Sequence, residues 1–168
     1  MRPWAAVLTG FACIVLLGCA GRSDNARASS FEEIKLVSWG SSLGSPSDAP
    51  CDLASFANTL SVNSASRELA WDLCEPTASG AEQQTDLRSL QDADLASINA
   101  AVGRLMQSDR QSCGADAPVV TLDERTSEGV QLLADDFYSG CPWGPLLGRT
   151  FVDGIGTLES ILNTMKDK

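Results

Sequence analysis

From Phe31 onward apolar and polar residues alternate in short runs, and twice apolar residues recur at helical spacing. Glu32 to Ser38 sets Ile34 and Leu36 on one side and Lys35 and Val37 on the other, the period-two pattern of a first strand. Thr59-Leu60-Ser61-Val62, the turn-forming Asn63-Ser64-Ala65-Ser66 and the alternating stretch Glu68 to Cys74 predict a hairpin. Its buried side carries Leu69, Trp71 and Leu73, with Trp71 a core residue. Thr85 to Gln91 fits a short fourth strand better than the start of a helix. Val119 to Leu122 and Val130 to Ala134 predict a second hairpin around the polar loop 123–129.

The helical spacings follow the same logic. Asp92 is a suitable N-cap for a helix to about Ser108, with Leu95, Ile98, Val102 and Leu105 forming one apolar stripe. Gly103 within it costs about 1 kcal/mol relative to alanine. A second helix from about Val152 to Met165 buries Ile155, Leu158, Ile161, Leu162 and Met165. Residues 41–50 and 75–84 are rich in turn formers and predict loops, the first a plain connector or a binding loop. The expected fold is α+β: an antiparallel sheet of five or six strands with two helices packed on one face. Residues 31–168 would form that single domain.

Upstream, the pattern changes. Arg2 and the N-terminal amine precede a thirteen-residue apolar run from Ala5 to Leu17, interrupted by Thr9 and Gly10, and Gly18 is the small residue that follows it, the parts of a secretory signal. Leu16-Leu17-Gly18-Cys19 resembles the lipobox of bacterial lipoproteins: Leu at −3, an aliphatic at −2, Gly at −1, then Cys. That resemblance implies a signal peptide over residues 1–18, cleavage before Cys19, a diacylglyceryl thioether on its sulfur and acylation, for example by palmitate, of the new amine. One acyl chain holds a protein marginally, at roughly 0.8 kcal/mol per CH₂, whereas three hold it stably on a membrane. Ala20 and Gly21, with no acidic residue after Cys19, favour the outer membrane, the domain facing the periplasm or the surface. The competing reading is an uncleaved span from Pro3 to Ala20. Residues 19–30 are the lipidated Cys and a small, polar tether.

Charge narrows the partners. The net charge of −10 becomes −11 when Arg2 leaves with the signal, and Lys and Arg are scattered singly. Nucleic acid and anionic membrane surfaces are therefore poor partners. The membrane is met through the lipid, and the remaining partner is an envelope or extracellular protein of unknown identity. The chain has no histidine. Ser-His-Asp and Cys-His catalysis and histidine-based metal sites are excluded, leaving only enzymes built on carboxylates, Tyr or Lys. No catalytic residue, metal site or cofactor is expected.

Cys13 leaves with the signal and Cys19 is lipidated, so Cys51, Cys74, Cys113 and Cys141 remain. Their spacings contain no CxxC pair, and outside the cytoplasm they predict two disulfides with three possible connectivities. Each pair flanks one predicted hairpin, so Cys51–Cys74 and Cys113–Cys141 require the least rearrangement, each contributing ~3 kcal/mol. Asp135-Asp136 beside Phe137 and Tyr138 is the one acidic pair that invites a calcium or shifted-pKa reading. On a strand the two side chains point apart, so a surface role is expected, as it is for Asp123-Glu124 in the loop.

The segment from Cys113 to Val120, followed by a hairpin and Cys141, resembles the reactive region of the subtilisin-inhibitor-like family. The resemblance implies an inhibitory loop of Gly114, Ala115, Asp116, Ala117 and Pro118, with Ala115 and Asp116 flanking the scissile bond. The loop is one residue shorter before its Pro than in that family, and no Cys lies between Cys74 and Cys113 to close the family's other bridge. The leading expectation is a non-enzymatic, disulfide-stapled binding domain on a lipid anchor. A protease inhibitor ranks second and a carboxylate-only enzyme third.

Overall fold

A computed structural model describes residues 30–39, 51, 56–78, 80–109, 119–136 and 146–168. Eight strands form one sheet: β1 (Glu33–Trp39), β2 (Ala57–Asn63), β3 (Glu68–Thr77), β4 (Gly80–Ser89), β5 (Met106–Gln107), β6 (Val119–Thr126), β7 (Gly129–Asp135) and β8 (Thr150–Asp153). Two helices, α1 (Asp92–Val102) and α2 (Ile155–Lys166), complete the α+β fold. The strand order is β4-β3-β2-β1-β6-β7-β8-β5, so the first strand in the chain lies inside the sheet. All neighbours are antiparallel except β7 and β8.

The register explains why the sheet has one buried face. Trp71, Leu60, Leu36, Leu122 and Leu133 stand opposite one another across five strands. Leu36 and Leu122 are fully buried, and both helices cover this row with Ile98, Val102, Ile155, Leu158 and Leu162. Each such side chain contributes roughly 1.5–3 kcal/mol by leaving water. The expected stripe Leu95, Ile98, Val102 and Leu105 packs as one surface, although α1 ends at Val102 and Leu105 follows it. On the opposite face a smaller cluster joins Val119, Ala134 and Leu146, with Trp39 and Phe151 packed against it.

Several expected boundaries move for identifiable reasons. The sheet has eight strands rather than five or six. Residues 75–84 are not a loop: β3 continues to Thr77, two residues turn the chain, and β4 returns in unbroken register to Ser89. Pro76 is tolerated because β2 pairs with β3 only up to Asp72 and has ended before it. The second hairpin is likewise tighter, with Thr126 opposite Gly129 and only Ser127 and Glu128 between them. Gly129 has φ of 137°, which suits a residue without a Cβ. The cap of α1 is Gln91 rather than Asp92, its N–H donating to Asp94 Oδ2 at 3.0 Å. That hydrogen bond, reinforced by Lys168 and Arg88, holds the buried Asp94 carboxyl below its ordinary pKa. Val152 belongs to β8, and α2 starts at Ile155.

Cys51 and Cys74 are joined, with Cα atoms 5.5 Å apart, as expected. Cys113 and Cys141 lie outside the described residues. Cys74 sits two residues beyond the last β2–β3 pair, Thr59 opposite Asp72, and its N–H donates to the Asn58 side-chain Oδ1 at 2.7 Å. Asn58 thereby extends the ladder by a side chain where no backbone acceptor of β2 continues it. Asn58→Ala should cost about 1–3 kcal/mol by leaving that amide without its acceptor. Urea unfolding checks this, and an unchanged midpoint would show that another group takes the bond.

Candidate functional site

The next row across the sheet changes character partway. Leu69, Val62 and Ile34 are apolar and fully buried, but the positions that continue the row on β6 and β7 are Glu124 and Gln131. Glu124 is only 3 % exposed. This polar end of the row faces a slot between β7 and β8, because the two strands pair only from Leu133 and Thr150 onward. The slot encloses about 670 Å³ and is lined by Val102 and Leu105 at the end of α1, Gln107, Glu124, Gln131 and Thr150, among others. Its volume lies within the range of ligand sites.

The backbone also faces the slot. A two-residue connection closes on a mutually hydrogen-bonded pair, here Thr126 and Gly129, so the odd positions of β7 bond to β6. Even positions turn the other way, as the bond from Asp136 N–H to Val152 O at 3.1 Å demonstrates. Val130 and the N–H of Leu132 therefore point into the slot, where no strand meets them among the described residues. Val130 and Leu132 are 54 % and 41 % exposed, a short apolar strip on the outer face of the sheet. Apolar contact and exposed main-chain groups together suit an extended peptide.

A second, smaller cavity of about 170 Å³ lies under α2 beside the disulfide, lined by Ser38, Asn58, Glu75, Glu159, Asn163 and Lys166 among others. Lys166 donates to Glu75 at 2.7 Å, and this bond raises the ammonium pKa. Burial raises the Glu159 carboxyl, against a lowering hydrogen bond from Ser38, and the charge of Asp135 adds to the rise. Asp135 in turn accepts the N–H of Gly156 at 3.1 Å in the first turn of α2.

The expected surface role of Asp135, Asp136 and Glu124 is thus corrected. Asp135 and Asp136 are 4 % and 6 % exposed. Both faces of the chain are covered at this end of β7: Asp135 is drawn inward by the amide at the start of α2, and Asp136, the next position, is held against β8 by its N–H to Val152 O. Glu124 is carried inward because β6 runs on to Thr126. No group of three or more His, Cys, Asp or Glu among the described residues is placed to hold a metal ion. Cys19, Cys113, Cys141 and the loop Gly114, Ala115, Asp116, Ala117 and Pro118 lie outside the described residues. No helix among those described is long and apolar enough to cross a membrane. Set beside known protein families, curated proteins and solved structures, the chain matches none of them.

The slot left one sequence signal. Val130, Leu132 and Leu133 place apolar residues on both faces of one short strand, whereas a half-exposed strand needs them on one.

The raised pKa of Glu159 has a defined consequence for stability. Its folded form keeps a proton at pH values where the unfolded chain has lost it, so stability falls as pH rises from the unfolded value through the folded one. Glu159→Gln removes that dependence while keeping a partner for Ser38. The variant should match the parent melting temperature in acid and exceed it near pH 7. Equal melting temperatures at both pH values would contradict the assignment.

Proposed function

We propose that this chain is an outer-membrane lipoprotein, anchored through Cys19, whose domain binds an extended segment of an envelope or extracellular protein without catalysis. The observation that carries the binding reading is the open stretch of β7. An added strand beside residues 129–132 would run roughly 10 Å at 3.4 Å per residue, bond to the main chain of Val130 and Leu132, and face Glu124 and Gln131. Main-chain bonds supply affinity in this mode and the flanking side chains supply selectivity. The missing histidine supports a non-enzymatic domain. The lipobox-like Leu16-Leu17-Gly18-Cys19 supports the anchor, and Ala20-Gly21 the outer membrane.

A second disulfide, Cys113–Cys141, belongs to this reading. β6 and β7 are antiparallel, with Thr121 opposite Ala134, so the segment entering at Val119 and the one leaving at Asp136 start from the same end of the hairpin. Those two segments carry Cys113 and Cys141.

The anchor and the bridge share one measurement. Mass spectrometry of the full chain extracted from membranes without reduction should find an acylated Cys19 at the new N-terminus and Cys113 joined to Cys141. Cys19→Ser should abolish acylation and processing. A processed, membrane-bound Cys19→Ser variant would overturn the anchor, and Cys74 joined to Cys113 would overturn the bridge.

The slot is tested in cells with a photo-crosslinking residue at Val130 in the full chain, with Ser66 in the β2–β3 turn as control. Leu132→Pro removes the amide facing the slot without touching the ladder to β6. A protein adduct should form at Val130, be absent at Ser66, and fall about tenfold or more with Leu132→Pro, the loss of roughly one good hydrogen bond. Adducts insensitive to Leu132→Pro would exclude strand addition.

A further inference from the structure

The other open edge of the sheet is β4. It pairs with β3 along its whole length and has no strand on its far side among the described residues. Edge strands are ordinarily protected by shortness, Pro, Lys or a bulge. β4 is 10 residues long, contains neither Pro nor Lys, and keeps unbroken register with β3. Nearly all of it is exposed, including Leu87 at 60 %.

The direction of its backbone groups follows from its turn. Thr77 and Gly80 close a two-residue connection and so bond to each other, which directs the even positions of β4 toward β3 and the odd positions outward. Leu87 agrees, since its N–H meets no strand and donates to the Asp86 side chain at 2.8 Å. A partner strand must therefore bond at Ala81, Gln83, Thr85, Leu87 and Ser89.

We infer that β4 pairs antiparallel with β4 of a second copy, with Thr85 opposite its own symmetry mate. Two symmetric registers align odd with odd positions and keep almost the whole strand paired, one centred on Gln84 and one on Thr85. Centring on Gln84 sets Glu82 against Asp86 of the second copy, twice. Centring on Thr85 sets Glu82 against Arg88 of the second copy, twice, and Asp86 against neutral Gln84. Charge selects the second register. Arg88 is already held in place, bonded to Met165 O and 3.8 Å from Asp94, and its guanidinium has further N–H groups to offer. Leu87 would lie against Gln83 of the second copy and lose part of its exposure.

The test uses the full chain in its membrane, with single cysteines and a one-carbon bis-methanethiosulfonate. Opposed residues in a hydrogen-bonded antiparallel pair have Cα atoms about 5.5 Å apart. Thr85→Cys should therefore link to itself above the wild-type background. Leu87→Cys alone should not, whereas chains carrying Gln83→Cys and Leu87→Cys should link when co-expressed. Adding Glu82→Arg to Thr85→Cys turns two attractive pairs into two repulsive ones and should lower linked dimer about tenfold. All three cysteine positions are exposed, so the core is untouched. Linking of Leu87→Cys as readily as Thr85→Cys, insensitivity to Glu82→Arg, or no linking at Thr85→Cys would each overturn the pairing.

Discussion

The row Trp71, Leu60, Leu36, Leu122 and Leu133 is the contact on which the remaining structure depends. Leu36 sits near its middle, fully buried, and belongs to the first strand of the chain. The strands β2 to β4 assemble on one side of β1 and β5 to β8 on the other, so both halves of the sheet share one seam. The helices do not form a separate layer with its own core. They pack on each other and bury Ile98, Ile155, Leu158 and Leu162 in the same cluster as that row. Removing Leu36 would therefore loosen both halves and the helical layer together, because a cavity at that point borders all three.

An open sheet covered on one face must still deal with its unpaired main chain. Here the two places where pairing stops differ chemically. In the slot between β7 and β8, the exposed main chain borders apolar residues and the recessed Glu124, a mixed environment unlike anything on β4. On β4 the flanking residues are polar, and Glu82 and Arg88 complement each other only when the strand meets its own reverse. The first geometry carries the proposal of a different chain with its own side chains to place. The second selects a copy. Leu87 gives β4 partial protection, since its N–H is satisfied by Asp86, and that bond must be exchanged before another strand can add. The exchange of one local bond for an inter-strand bond is nearly neutral, so the protection is kinetic more than thermodynamic.

Much of this fold was legible where one face of an element is wet and the other dry. Ile34 and Leu36 on β1, Leu69 and Leu73 on β3, and Ile98 and Val102 on α1 alternate or recur at the spacing their burial requires. β4 was only half legible because both of its faces are wet, and Gly80 to Gln84 carries no apolar period to distinguish a strand from a loop. β5 and β8 are too short for any period, and nothing local announces that β8 runs parallel to β7. The slot was illegible for the same reason: it exists because β8 meets β7 late, a fact of topology. The buried carboxylates failed differently. Asp135 is explained by an amide of α2, Asp94 by the amide of Gln91 and two cations, and each such partner lies on another element or at a helix start.

The proposed anchor changes what a weak edge contact can accomplish. A chain carrying a charge of −11 after processing repels its copies in dilute solution, and one pair of exposed strands would not overcome that repulsion at low concentration. Such an anchor would confine every copy to one surface, which would remove most of the translational freedom lost on association and raise the effective concentration accordingly. Salt acts in the same direction, since the net repulsion extends across a Debye length of about 8 Å at physiological ionic strength while the Glu82–Arg88 contacts are closer than that. Pairing through β4 leaves the slot clear, because β4 and β7 are separated by β3, β2, β1 and β6. A membrane-bound pair would thus present two slots to one elongated partner, and a segment that binds each slot weakly would be held by both. The affinity demanded of a single slot is correspondingly low, which fits an opening that offers only Val130 and Leu132 for main-chain bonding.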